Sequence, residues 1–321
     1  MARGSGSSLA GEGSLIETII EFALLVGLTA AISTWAHAAQ QRQRLRLALL
    51  ILLGVIAVPL LIGGVIALLA LGLRNAGAWL ALALGLALGL PLLRPVRVAL
   101  AWVTPMSADS APDLVGLAIL AAVAVVSGWS SLTAGPHLES AASPSAAEIV
   151  TQSLAEVLIA YFGVGWLLVR GFGSATARLG LRWPTWRDIW IGLALVFVAF
   201  GISIVSGLLT HFLQPSLQRQ IDEQLKQITQ NVSTGWGAVL LGASAGIGEE
   251  ILFRGAIQPR YGIVFTSIVF ASLHTQYGLS LTVLGIFALS LLLGWERRRY
   301  GTVTAIVTHG VYDALAVLLG S

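Results

Sequence analysis

The chain has 321 residues, 56% of them hydrophobic and 10% charged, with a mean hydropathy of +0.87; that balance excludes an ordinary soluble domain. It contains no cysteine, which removes disulfides, thiolate metal ligands and a cysteine nucleophile from consideration. The net charge of +3 comes largely from arginines in short loops between apolar runs, where membrane orientation accounts for it and no nucleic acid is required.

In chain order, residues 1–14 read as a flexible Gly/Ser-rich tail. Apolar runs long enough to cross a hydrocarbon core of about 30 Å then follow one another. The expectation is an all-α, polytopic transmembrane helical bundle of about ten spans: 15–38, 46–72, 77–93, 114–134, 149–169, 188–212, 236–258, 261–275, 279–295 and 302–320. Residues 15–148 form an N-terminal scaffold on this reading, and 149–321 a second transmembrane unit. The first span lacks the basic start of a secretory signal and is read as a membrane helix. Arginines follow every odd-numbered span, whereas the even-numbered loops carry Glu139 and Glu148, balanced charge or none, apart from the single Arg74. That alternation places the basic loops in the cytoplasm and both termini outside. Residues 213–234 are polar, with Leu217, Ile221, Leu225, Ile228 and Val232 at helical spacing, the pattern of an amphipathic surface helix.

Ionisable residues concentrate inside the last apolar runs: Glu249, Glu250 and Arg254 in GEEILFRG, His274 in ASLHT, and His309 and Asp313 in THGVYDAL. A Glu, Asp or Arg at mid-bilayer costs about 2.5–3.5 kcal/mol on the insertion scale, so a group of them implies an internal site or ion path. Glu250 and Arg254 are spaced for an i,i+4 ion pair with the acid first. Glu249, about 100° away around a helix, is left free to take a proton. Asp313 is likewise placed to orient the His309 imidazole. Counting 1.5 Å per residue from the cytoplasmic ends puts Glu249 at about 16 Å, His274 at about 20 Å and His309 at about 12 Å, a common layer. The small residues Gly242, Ser244, Ala245, Gly246 and Gly248 before the acids suit close helix packing.

In this order, Glu249-Glu250-x-x-x-Arg254, Phe270-x-x-x-His274 and His309-x-x-x-Asp313 resemble the three motifs of the CPBP (CAAX protease, or Abi) intramembrane proteases, a family that includes the type II CAAX prenyl endopeptidases. The resemblance covers roughly residues 235–320. The third motif commonly ends in Asn, where this chain has Asp313. It implies an intramembrane endopeptidase acting on membrane-anchored proteins or peptides, in a bacterial plasma membrane, through a cavity open to the cytoplasm. Glu249 would activate water, His274 would help position it, and His309 with residue 313 would stabilise the oxyanion, supported by Glu250, Arg254 and Phe270. No cofactor is favoured, with zinc or another divalent metal as the alternative. A zinc mechanism would draw on Glu249, His274 and His309, but H-E-x-x-H is missing and the metal-free reading is preferred. The alternatives are a proton-coupled transporter, disfavoured by the lack of an internal repeat, and a non-catalytic membrane partner or immunity protein.

Overall fold

Caps and glycines set the helix ends. In the computed structural model, which describes residues 6–133, 143–232 and 234–320, the chain is all-α. Glu139 and residues 1–5 lie outside the described residues. The first helices are α1 (Gly6–Gln41), α2 (Gln43–Leu71), α3 (Ala76–Gly89), α4 (Arg94–Val103) and α5 (Ala111–Thr133). Then come α6 (Ala146–Gly163), α7 (Phe172–Arg178), α8 (Trp186–Leu213), α9 (Pro215–Thr229) and α10 (Gly235–Glu249). A π-helical turn (Glu250–Ile257) leads into α11 (Gln258–Leu273), followed by α12 (Leu281–Arg299) and α13 (Thr302–Gly320). Asn75 caps α3 and Thr234 caps α10, while Ser145 with Glu148 and Thr185 with Asp188 form capping boxes on α6 and α8. Each supplies acceptors to amides that a helix start leaves unpaired.

Six helices are long and apolar enough to cross a membrane, or seven counting the bent pair Ala76–Leu92 and Arg94–Val103; this is a multi-pass membrane protein with fewer such helices than the ten expected. The differences have identifiable causes. Thr151, Gln152, Ser153 and Glu156 make α6 polar, and α12 ends in Glu296 and three arginines. The third run breaks at Leu93 and turns by 84° into α4. The two runs 236–258 and 261–275 fall within one continuous helical stretch, Gly235–Leu273, but form two separate arms that meet at Gly262 (φ 80°, ψ 172°), a conformation that glycine adopts without a steric penalty. There the chain doubles back: Phe253 and Phe270 lie edge to face with centroids 5.0 Å apart, whereas a straight helix would separate them by about 25 Å. α1 begins at Gly6 and so takes in most of the stretch read as a tail. The amphipathic helix expected over 213–234 is present as α9.

Two ends of the bundle are chemically distinct. At one end, Tyr261 donates to the Asp113 carbonyl (3.0 Å), the Ala111 amide donates to Gln40 (2.7 Å), and Arg297 donates to the Arg254 carbonyl (2.9 Å). These bonds gather the α1–α2 turn, the start of α5, the Gly262 turn and the end of α12, and with them most of the arginines. At the other end, Ser143 donates to the Ile228 carbonyl (2.7 Å) and the Leu281 amide to Gln214 (2.9 Å), which tie α9 to the starts of α6 and α12. Between the ends, α10 packs on α13 through glycines. A Cβ at Gly246 would sit 2.8 Å from the Gly310 nitrogen, and one at Gly310 2.9 Å from the Gly242 oxygen. The small residues of α10 therefore let two backbones touch, which brings the acids of α10 beside the histidine of α13.

Candidate active site

The foldback at Gly262 and the α10–α13 contact place the three sequence clusters around one cavity of about 680 Å³, lined among others by Glu156, Glu249, Phe270, His274, Tyr277, His309, Tyr312 and Asp313. Glu250, Arg254 and Glu296 are fully buried beneath it. The π-helical turn Glu250–Ile257 carries the paired acid and arginine; such turns occur frequently at functional sites.

Glu250 is the hub. Its Oε2 lies 3.2 Å from Arg254 Nε, the i,i+4 pair expected, and its Oε1 lies 2.8 Å from His309 Nδ1. The second contact was not anticipated: Glu250 orients the histidine as well as pairing with the arginine. The Arg254 guanidinium also stands 4.6 Å over the Phe270 ring, a cation–π contact. His309 Nε2 faces Asp313 Oδ2 at 3.3 Å. A ring that donates to carboxylates from both nitrogens carries two protons and a positive charge. The two contacts are unequal. Glu250 is completely buried and at hydrogen-bond distance, whereas Asp313 is longer and 22% exposed; Glu250 is the fixed partner and Asp313 the one a ligand can displace.

His274 closes α11, and its Nδ1 lies 2.8 Å from the Phe270 carbonyl. A carbonyl only accepts, so Nδ1 holds a proton, and in the neutral ring Nε2 is then an acceptor. Phe270 fixes both histidines, with ring centroids 4.7 Å from His274 and 6.0 Å from His309. Glu249 differs from every other carboxylate here. Among the described residues it makes no hydrogen bond or ion pair, and its Oε2 is buried without a protein partner. A buried acceptor left unpaired costs about 1–3 kcal/mol, so its occurrence beside a cavity marks a place for a water or a substrate group.

The set Glu249, His274 and His309 does not converge as metal ligands. Among the described residues no group of three His, Asp or Glu side chains could hold a metal ion, and both His309 nitrogens and His274 Nδ1 are engaged elsewhere.

Residues 231–315, which carry this whole constellation except Glu156, match the model of the family described as type II CAAX prenyl endopeptidase, Rce1-like. Over this segment the chain is similar to the Rce1-like family. No curated protein and no solved structure matches the chain. The Rce1-like segment spans α10, the π-helical turn, α11, α12 and most of α13, so the family likeness and the cavity coincide.

Two acids next to the Rce1-like constellation were missed. Glu156 of α6 lines the cavity, accepts from Gln152 (3.0 Å), and lies so close to Gly248 that a Cβ there would collide with its carboxylate. Gly248 thus has a specific task beyond general packing, leaving room for α6, whose Ser153 donates to the Ser244 carbonyl at 2.8 Å. The cost argument that singled out Glu249 applies equally to an acid in the middle of the run 149–169 and could have found it. Glu296, one residue beyond the expected run 279–295, is fully buried; its Oε1 accepts from Thr308 at 2.6 Å. The cavity's exposed lining residues, among them Gln152, Asp222, Lys226 and Gly320, lie at the α9 end, opposite the arginine-rich loops.

Proposed function

We propose that the protein is an intramembrane endopeptidase in which Glu249 activates water, acting on membrane-anchored proteins or peptides. The observation that carries the reading is that Glu249 alone among the site's carboxylates lacks a protein partner, in a cavity it shares with His274, His309 and Asp313. Glu156 is bound by Gln152, Glu250 by Arg254 and His309, and Asp313 by His309.

A water resting against Glu249 donates one hydrogen bond to the carboxylate and the other to His274 Nε2, and keeps both protons until a carbonyl approaches. As the water oxygen bonds to the scissile carbonyl carbon, Glu249 takes the proton and negative charge grows on the carbonyl oxygen. That oxygen displaces Asp313 from His309 Nε2–H, which is held in place from behind by Glu250 and needs no reorganisation at that moment. When the tetrahedral intermediate collapses, the carbon–nitrogen bond breaks and the proton on Glu249 passes to the departing amine. Asp313 then returns to His309. The role fits an acid as well as the commoner Asn, because the residue need only accept from the ring.

Comparison of membrane proteomes from cells carrying wild-type protein or Glu249→Gln tests this reading. Peptide termini that appear only with the wild type support it. Their absence, with both proteins present at equal level, would favour transport or a non-catalytic role.

A further inference from the structure

The cavity has a closed end and an open end, and the charges of the bundle assign each to a side of the membrane. Below Glu249 and His309 the floor is sealed by Glu250, Arg254 and Glu296, all with no exposed surface. Moving away from that floor, the lining passes Tyr312 and Ala316 to Gly320 at the end of α13, and Ser153 and Gln152 toward Pro144 before α6. α9 contributes Asp222, Lys226 and Thr229. The lining thus becomes exposed where it reaches α9.

Exposed arginines crowd the opposite end: Arg42 between α1 and α2, Arg44 in the first turn of α2, Arg94 opening α4, Arg182 before α8 and Arg187 in its first turn, and Arg298 and Arg299 closing α12. At the α9 end the corresponding cations among the described residues are Arg74, Arg219 and Lys226, set among Asp222, Glu223 and Glu148. Cytoplasmic loops carry the excess of Lys and Arg. The floor of the cavity therefore points to the cytoplasm and its mouth to the other side.

We infer that the site takes its substrate from the non-cytoplasmic face, and that the substrate class is the extended segment of a membrane protein next to its span on that face. The inference rests on the endopeptidase reading for the word substrate; the side of entry rests on geometry and charge alone. The size supports an extended segment. At about 680 Å³ the cavity falls in the range of small-molecule sites, about 300–1,000 Å³, enough for a few residues of unwound chain. A whole helical span, about 10–12 Å across, has no room. Polar Gln152, Asp222 and Lys226 at the mouth suit a hydrated backbone, and Phe270, Ile286 and Leu289 deeper in suit an apolar side chain near the cut. A C-terminal prenylated Cys motif anchored to the cytoplasmic leaflet would meet the sealed floor.

The absence of cysteine makes the test clean. Lys226→Cys and Arg298→Cys, each as the sole cysteine, are treated in intact cells with a membrane-impermeant maleimide, and the positions of wild-type-dependent termini are mapped against the spans of the proteins that bear them. The expected result is labelling of Lys226→Cys in intact cells, labelling of Arg298→Cys only after permeabilisation, and new termini on the outer side of substrate spans. Labelling of Arg298→Cys in intact cells, or termini on cytoplasmic segments, overturns the inference. Outer labelling of Lys226→Cys with no wild-type-dependent termini anywhere overturns the endopeptidase reading and leaves the direction of the mouth established.

Discussion

The pair Glu250–Arg254 permits a prediction whose asymmetry comes from the structure. Removing one partner of a buried pair generally costs about 3–5 kcal/mol, because the other charge is stranded. Here the two partners are not equivalent. Arg254 has Glu250 as its only ion pair among the described residues, with the Phe270 face as its other support, and its terminal nitrogens are buried without hydrogen-bond partners. Glu250 keeps a second cationic partner, His309 at 2.8 Å. Glu250→Gln, which preserves shape and removes charge, should therefore fall in the full range of about 3–5 kcal/mol. Arg254→Met leaves an acid still bonded to His309 and should cost less, about 1–3 kcal/mol, the scale of one lost charged hydrogen bond. The double variant buries neither stranded charge and should recover most of the loss, since hydrophobic replacement of a buried pair is often neutral. Unfolding midpoints of the purified protein in detergent measure this; the Glu250→Gln step should be the largest, about 5–10 °C. Activity separates the two roles of Glu250: the double variant regains stability without regaining turnover, because His309 has lost its charged support. Equal loss for both single variants, or a double variant no more stable than Glu250→Gln, would refute the argument.

Further expectations follow from the same contacts. Asp313→Asn should keep much of the activity with an altered pH profile, since Asn still accepts from His309, whereas Asp313→Leu should lose activity by about 10²–10³-fold; rates of substrate cleavage across pH check both, and wild-type rates for Asp313→Leu would make the residue structural. Activity should survive strong chelation and purified protein should hold less than stoichiometric zinc, as measured by elemental analysis; loss restored by zinc alone would decide for a metal mechanism. Gly248→Ala would drive a methyl into the Glu156 carboxylate and to 3.0 Å from the Ser153 Cα, so α6 must move away, with about 1–3 kcal/mol of lost stability and reduced turnover; unchanged midpoint and rate would show that α6 has no fixed place at the site.

The site was more legible than the span count. Each motif residue is expensive in an apolar environment, and that cost is visible in sequence without knowledge of the fold. Local spacing found the pairs Glu250–Arg254 and His309–Asp313, both of which lie one helical turn apart. It could not find the contact between Glu250 and His309, which depends on how α10 and α13 pack. Glu156 and Glu296 were hidden for a similar reason: their partners, Gly248 and Thr308, come from other helices. The span count was less legible because hydropathy sees composition and not path: it did not show the bend at Leu93 or the reversal at Gly262. The side on which the cavity opens was also beyond local reading, since the mouth is assembled from α6, α9 and α13.

The central claim is that Glu249 supplies the base for peptide hydrolysis. Its most direct test is the rate at which purified protein, reconstituted in lipid, cleaves a substrate found by the proteome comparison, measured for wild type and Glu249→Gln together with their unfolding midpoints. General-base catalysis by a positioned side chain contributes about 10²–10⁴-fold. The account predicts a loss of at least that size for Glu249→Gln with a midpoint near wild type, because Glu249 has no protein partner to lose. Retention of a substantial fraction of the rate by a folded Glu249→Gln protein would contradict it.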